Sequence, residues 1–276
     1  MGAIINTNLM SLNAQRNLAS TQGSLATSIQ RLSSGLRVNS AKDDAAGLAI
    51  AERMSAQARG MTVAIRNAND GISLSQTAEG ALAQIGEMAQ RMRELSVQSM
   101  NATNGDDDRT HLDAEYQQLA EEITRTIAGT QFNGLAILAG DAGSLQFQVG
   151  AGTTANDSIT ITTTDLSGEA TVTAVTGGDV TSVANATTAV DNLDALITTV
   201  NAERATYGAV QNRFQTVIAT LNVAVENQTA ARSRIMDADF ASETAALTRA
   251  QVLQQAGTAM LSQANAAPQS VLSLLR

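Results

Sequence analysis

Apolar residues in the first hundred positions fall on a helical period. Leu9, Leu12, Leu18, Leu25, Ile29 and Leu32 mark a helix over residues 4–34. Leu25, Ile29, Leu32 and Leu36 recur at spacings of 4, 3 and 4, the stripe of a helix that meets a partner. A second helix is expected over 43–100, with a break near Asn69, Asp70 and Gly71. Its later stripe is Leu82, Ile85, Met88, Met92 and Leu95. Asn, Gly and Asp make 101–108 a loop. A third helix follows over 109–128, with Leu112, Tyr116, Leu119, Ile123 and Ile127 on one face.

The period changes at Gly129. Leu145, Phe147 and Val149 alternate with polar residues, as do Ile159 and Ile161, which predicts a hairpin turning through 150–157. Residues 162–188 are rich in Thr, Val, Gly and Ala and read as short strands or loop. Helical period returns at Val190. Leu193, Leu196, Val200, Glu203, Tyr207, Val210, Phe214, Val217, Leu221, Ala224, Gln228, Ala231 and Ile235 alternate by 3 and 4. That is about six heptads, a packed coiled-coil-like helix. At 1.5 Å per residue it spans roughly 65 Å.

Two joints interrupt the helices. Ser33, Ser34 and Gly35 weaken the first helix, because serine competes for backbone hydrogen bonds and glycine costs conformational entropy. Ser40 with Asp43 fits a capping box for the next helix. Residues 236–240 form the second joint, with Asp237 and Asp239 near the start of a last helix over 241–266, and Pro268 ends its pattern. The order helix, joint, helices, hairpin, long helix, joint, helix is nearly a palindrome. It predicts a mainly α fold: an elongated antiparallel helical coiled-coil bundle, its N- and C-terminal halves paired, with a small β-hairpin region in the middle. Residues 1–42 and 236–276 would pair as a terminal coil. Residues 43–189, with the hairpin and a short variable region, would form a rod with the long helix 190–235.

Composition sharpens this picture. Aromatic residues are 2% of 276, there is no Trp, and Pro268 is the one proline. Small and aliphatic residues suit closely packed long helices better than a ligand pocket. No cysteine means no disulfide and no thiolate chemistry. The net charge of -9 is unevenly placed. Asp43 is the first acid and Glu243 the last. Residues 1–42 carry only Arg16, Arg31, Arg37 and Lys42, and residues 244–276 only Arg249 and Arg276. Ends so poor in charge are expected to become buried against something. No basic leader with an apolar core precedes Arg16, and no apolar run is long enough for a membrane span.

Candidate chemistry is sparse. His111 has Asp113 and Glu115 nearby but no second His or Cys to complete a transition-metal site, so it reads as a solvated helix residue. Asp106, Asp107 and Asp108 lack the alternating ligands of a calcium loop and suit a helix N-terminus. No phosphate loop or nucleophile motif is present, and Lys42 is the sole lysine. An enzyme is not expected, nor a catalytic, cofactor or metal site. The acidic middle and scarce aromatics speak against nucleic-acid binding.

Several blocks resemble bacterial flagellin, the subunit of the flagellar filament. They are Ile5-Asn-Thr-Asn8, the stretch from Arg31 to Ile50, Arg66-Asn-Ala-Asn-Asp-Gly-Ile72, Gln90-Arg-Met-Arg-Glu-Leu-Ser-Val-Gln98 and Gln131-Phe-Asn-Gly134. Gly208-Ala-Val-Gln-Asn-Arg-Phe214, Ala231-Arg-Ser-Arg-Ile235, Arg249-Ala-Gln-Val-Leu-Gln-Gln-Ala-Gly257 and Val271-Leu-Ser-Leu-Leu-Arg276 continue the series. The resemblance covers roughly residues 2–150 and 190–276 and implies a self-assembling helical homopolymer used for swimming. It also implies export unfolded through the flagellar type III apparatus without a cleaved signal peptide, and a place outside the cell. Implied partners are an export chaperone, the filament cap and the hook-junction proteins.

On that reading, Leu9, Leu12, Leu25, Ile29, Leu32, Leu247, Leu253, Leu261 and Leu274 are the polymerisation residues of the terminal coil. In flagellins recognised by the vertebrate Toll-like flagellin receptor, an Arg, a Leu and a Glu make contact. Arg91, Leu95 and Glu115 match those positions, with Glu94 beside them. Two rivals stand against the filament subunit. A hook–filament junction protein shares the terminal pattern. A surface adhesin or glycan-binding protein would use the Thr-rich segment 150–188, which has no Trp or Tyr to stack on sugar.

Overall fold

The computed structural model describes residues 7–141 and 143–273. The order is α1 (Leu9–Ser34), α2 (Ala45–Ser99), α3 (Asp106–Gly129), β1 (Gln131–Phe132), β2 (Leu135–Ala136), β3 (Ser144–Gln148), β4 (Ser158–Thr162), α4 (Ala170–Thr176), α5 (Val183–Met236) and α6 (Phe240–Ser273). The chain divides into two compact units, residues 1–56 with 227–276, and residues 57–226. Helices dominate, the N- and C-terminal halves are paired, and the β structure is confined to the middle, as the sequence predicts.

In the unit 57–226 the core lies between α2, α3 and α5. Leu82, Ile85, Met92 and Leu95 of α2 are buried with Tyr116, Ile123 and Ile127 of α3 and Leu193, Leu196, Val200, Tyr207 and Phe214 of α5. The stripe expected on α5 holds along its length: each of its members is buried or half-buried. The break expected at Asn69–Gly71 does not occur, and α2 runs unbroken from Ala45 to Ser99. Gly71 answers a packing need: a Cβ there would stand 2.6 Å from Phe214 Cζ.

The expected hairpin forms, with Leu145 opposite Ile161 and Phe147 opposite Ile159, and its connection begins one residue earlier than expected, at Val149. Ile159 and Ile161 are buried, and Phe147 meets Phe214 edge to face at 5.7 Å. A smaller hairpin precedes it. Phe132 pairs with Leu135 around Asn133 and Gly134, whose φ angles of 50° and 82° are both positive. Asn-Gly is the usual sequence of such a turn.

Residues 162–188 are strand end and loop in part, as expected, but they also hold α4 and the first turns of α5. Val172 and Val175 of α4 are buried in the core. Tyr116 Oη donates to Val175 O at 3.0 Å and Gln117 Nε2 to Gly178 O at 2.9 Å, so α3 holds the C-terminal end of α4. Thr173 and Thr176 turn their hydroxyls onto the carbonyls of Glu169 and Val172, four residues back. Packing thus overrides the weak helix preference of threonine. Ser182 starts α5, its Oγ accepting from Asn185 N at 3.1 Å.

In the other unit, α1 ends at Gly35, whose φ of 71° places it in the left-handed region while its N–H donates to Arg31 O. The chain then makes an isolated antiparallel bridge between Leu36 and Asp237. Val38, Ala51 and Met236 form a small core there. The predicted capping box is corrected. Ser40 and Asp43 close a turn, with Asp43 Oδ2 accepting from Ser40 N at 2.9 Å. The cap of α2 is Asp44, whose Oδ1 accepts from Gly47 N at 2.7 Å. Gly47 suits that place because a Cβ would run into the Asp44 carboxylate. At the second joint, Asp239 caps α6, accepting from Ala241 N at 2.9 Å. Pro268 does not end α6, which continues to Ser273.

Candidate assembly surface

Helices α1 and α6 pack against each other. Their seam closes on small side chains. Ser11 and Ser28 are the buried residues of α1, Ala250 is buried on α6, and a Cβ on Gly257 would stand 3.3 Å from Leu18 Cδ1. Small residues let the two backbones approach. Arg31 faces Glu243, the last acid, at 3.7 Å.

The larger apolar side chains point outward. Leu9 is 64% exposed, Met10 71% and Met260 64%, and Leu12, Ile29, Val252 and Leu253 are also exposed. Leu25, Leu32, Leu247 and Leu261 are half-buried along the pair. Leu274 lies outside the described residues. Met10, Leu18, Leu253, Ala256, Met260 and Ala264 line one open groove. A helix pair standing in water ordinarily inverts this pattern, with leucines in the seam and charge outside. Here charge is almost absent. Arg16 and Arg31 on α1, and Glu243 and Arg249 on α6, are the ionisable groups of the two helices. Apolar patches of this kind mark surfaces that another protein covers.

The joint below is held by polar contacts. Arg37 Nη2 donates to Ile235 O at 2.6 Å, occupying a carbonyl at the C-terminal end of α5. Arg37 N donates to Met236 O at 2.6 Å and Ala238 N to Gly35 O at 2.9 Å. The backbone hydrogen bonds from Ser40 and Asn39 hold the Asp43 carboxyl below the usual carboxylate range. Lys42 is exposed in this turn.

A second exposed cluster lies on α2 and α3. Arg91 Nε and Nη2 donate to Glu115 Oε1 at 2.9 and 2.8 Å, and Nη1 donates to Glu94 Oε2 at 3.0 Å. These bonds, that to Glu115 foremost, raise the Arg91 pKa further. Arg93 Nε donates to Asp194 Oδ1 at 2.6 Å and holds that carboxyl below its usual range. Leu95 is not part of this surface. It is 1% exposed, because its side chain turns from the Arg91 face into the core beside Met92 and Ile123. The exposed apolar residue here is Val97, which the sequence reading passed over. Its place three residues after Glu94 is the signal that puts it on the same face.

No group of three potential metal-binding side chains occurs among the described residues. Asp106, Asp107 and Asp108 occupy the first turn of α3, where Gly105 N donates to Asp108 Oδ2 at 3.0 Å, and His111 is exposed on that helix.

Comparison with known proteins bears on both surfaces. Residues 5–142 match the family model of the bacterial flagellin N-terminal helical region. Residues 190–275 match that of the C-terminal helical region. A flagellin of Halalkalibacterium halodurans is 48% identical over 273 residues, covering 99% of this chain and 100% of the relative. The flagellar filament 33 kDa core protein of Treponema phagedenis is 42% identical over 291 residues, covering 99% and 100%. The crystal structure of Bacillus cereus flagellin superposes with a TM-score of 0.50 at 32% identity, over 56% of this chain and 88% of that one. With both terminal regions matched and whole-length relatives at this identity, the chain belongs to the bacterial flagellin family.

Proposed function

We infer that this chain is a structural subunit that polymerises with copies of itself into the flagellar filament, outside the cell, for swimming. The observation that carries this is the outward placement of Leu9, Met10, Leu12, Ile29, Leu253 and Met260 on a nearly uncharged helix pair. Residues 1–42 and 236–276 are assigned to the assembling coil, and residues 43–235 to lateral contacts between subunits. Burial of the exposed leucines, isoleucines and methionines drives assembly at roughly 25 cal/mol per Å² of apolar area, less the cost of ordering. Alternative packings of the lateral contacts would allow the filament to switch handedness. The whole-length likeness to flagellins favours this reading over a hook–filament junction protein or an adhesin.

Finer parts of the proposal follow from family membership. The subunit leaves the cell unfolded, without a cleaved signal peptide, by the flagellar type III route. Its partners are an export chaperone, the filament cap and the hook-junction proteins. Arg91, Glu94 and Glu115 form the contact for a vertebrate Toll-like flagellin receptor, with Leu95 supporting the helix from beneath.

The test is seeded polymerisation of Ile29→Asp and Leu253→Asp variants. Both side chains are exposed, so folding should be unchanged by circular dichroism, while a charge at either site should stop filament growth. Growth at the parent rate would remove α1 and α6 from the assembly surface.

A further inference from the structure

Helix α6 continues through Pro268, and proline has no backbone N–H. In an α-helix the N–H of residue 268 would serve the carbonyl of Ala264. That carbonyl is reached from the other helix: Asn8 Nδ2 donates to Ala264 O at 2.7 Å. The opposite end of the same amide caps α1, Asn8 Oδ1 accepting from Ser11 N at 3.1 Å. Beside it, Ser11 Oγ donates to Asn265 Oδ1 at 2.7 Å. One asparagine thus joins the start of α1 to the carbonyl that the proline leaves.

We propose that Asn8 and Pro268 form a matched clamp that sets the axial register of α1 on α6, making Asn8 a positioning residue of the assembling coil. At the far end of the seam Arg31 faces Glu243 at 3.7 Å, too long for a hydrogen bond. Between the two ends the seam is lined by the small side chains of Ser28 and Ala250, and Leu18 packs on Gly257 in the same setting. A buried polar contact in a largely apolar seam is a known way to fix register in paired helices. The chain has one proline, so one carbonyl of α6 is vacated in this way and one setting of α1 meets it. A slipped pair would shift the outward leucines and methionines along the surface and spoil their match to a neighbouring subunit. The consequence for filaments rests on the proposed assembly role, whereas the clamp itself lies within one chain.

The register is readable by disulfide trapping, because the chain has no cysteine of its own. A Cβ on Gly257 lies 4.0 Å from Leu18 Cβ, within the range of about 3.5–4.5 Å that a disulfide needs. Full-length L18C/G257C should therefore close under mild oxidation. Adding N8S keeps a hydroxyl acceptor for Ser11 N but is too short to reach the Ala264 carbonyl. It should slow closure roughly fivefold, the equivalent of one net hydrogen bond. It should also raise the yield of L18C/L261C, one turn away. Adding P268A restores an N–H to that carbonyl, so N8S/P268A should close at the rate of P268A alone. Closure of N8S at the parent rate, or failure of P268A to rescue it, would overturn the clamp. The filament reading fails separately: trapping that behaves as stated in a chain that never polymerises keeps the clamp and removes the assembly role.

Discussion

The ring of Phe214 stands where a side chain on Gly71 would be, 2.6 Å from the place of its Cβ. Helix α2 therefore carries a glycine in mid-helix because α5 carries an aromatic ring opposite. Alanine would favour the helix by about 1 kcal/mol. Overpacking against a fixed ring costs about 1–3 kcal/mol. Gly71→Ala should lower stability by about 1 kcal/mol in urea denaturation, and Gly71→Ala with Phe214→Leu should recover part of it. An increase in stability for the single variant would show that the ring yields.

The carboxyl shifts give an acid limb. Backbone hydrogen bonds from Ser40 and Asn39 lower the Asp43 pKa, and Arg93 lowers that of Asp194. A folded pKa below the unfolded value of about 3.9 contributes stability that is present above that value. It is lost as pH falls through the folded one. The denaturation midpoint should therefore fall as pH drops below about 4, and Asp43→Asn, which cannot titrate, should flatten part of that slope. An unchanged slope would show that the turn is equally stable in the unfolded chain.

The two tyrosines set an alkaline limb. Burial pushes both Tyr116 and Tyr207 up to about 12. A raised folded pKa favours the neutral form, so stability holds below the ordinary value of about 10 and is lost as pH rises through about 12. Phenolate absorbance should appear together with unfolding. The residues should differ on mutation. Tyr116→Phe removes the bond to Val175 O and should cost about 1 kcal/mol. The Tyr207 hydroxyl is buried without a partner, so Tyr207→Phe should be neutral or stabilising in the same assay.

The charged trio on α2 and α3 yields a binding prediction. Arg91→Gln should reduce capture of the monomer by the receptor ectodomain roughly tenfold, the order of an arginine hot spot. Leu95→Ala acts differently, since Leu95 is buried. It should lower stability by about 2–5 kcal/mol, with weaker binding only where the fold has loosened. Calorimetry beside surface capture separates the two effects.

Much of this architecture is legible in periodicity. The α5 stripe from Leu193 to Ile235 is long enough that no residue of it faces water fully. The two strands of the hairpin follow from alternation, whereas its register, Leu145 opposite Ile161 and Phe147 opposite Ile159, does not. Local signals misled where a tertiary partner answered them. Asn69–Gly71 looks like a break until Phe214 occupies the glycine's space. The Thr-rich stretch hides α4 because Val172 and Val175 are only two anchors, and the carbonyls that receive Tyr116 and Gln117 leave no mark in sequence. Pro268 ends a helix in isolation, whereas here Asn8 takes the Ala264 carbonyl. Leu95 ends the apolar stripe read from the helical period, and its burial follows that stripe and not the contact role that the resemblance implies.

The central claim is that the charge-poor ends form the surface through which copies assemble. Electron microscopy of the purified chain, seeded with short filaments, tests it most directly beside a truncation lacking residues 1–42 and 244–276. Long filaments from the full chain and none from the truncation are the expected result. Equal polymerisation of the truncated chain would contradict the account.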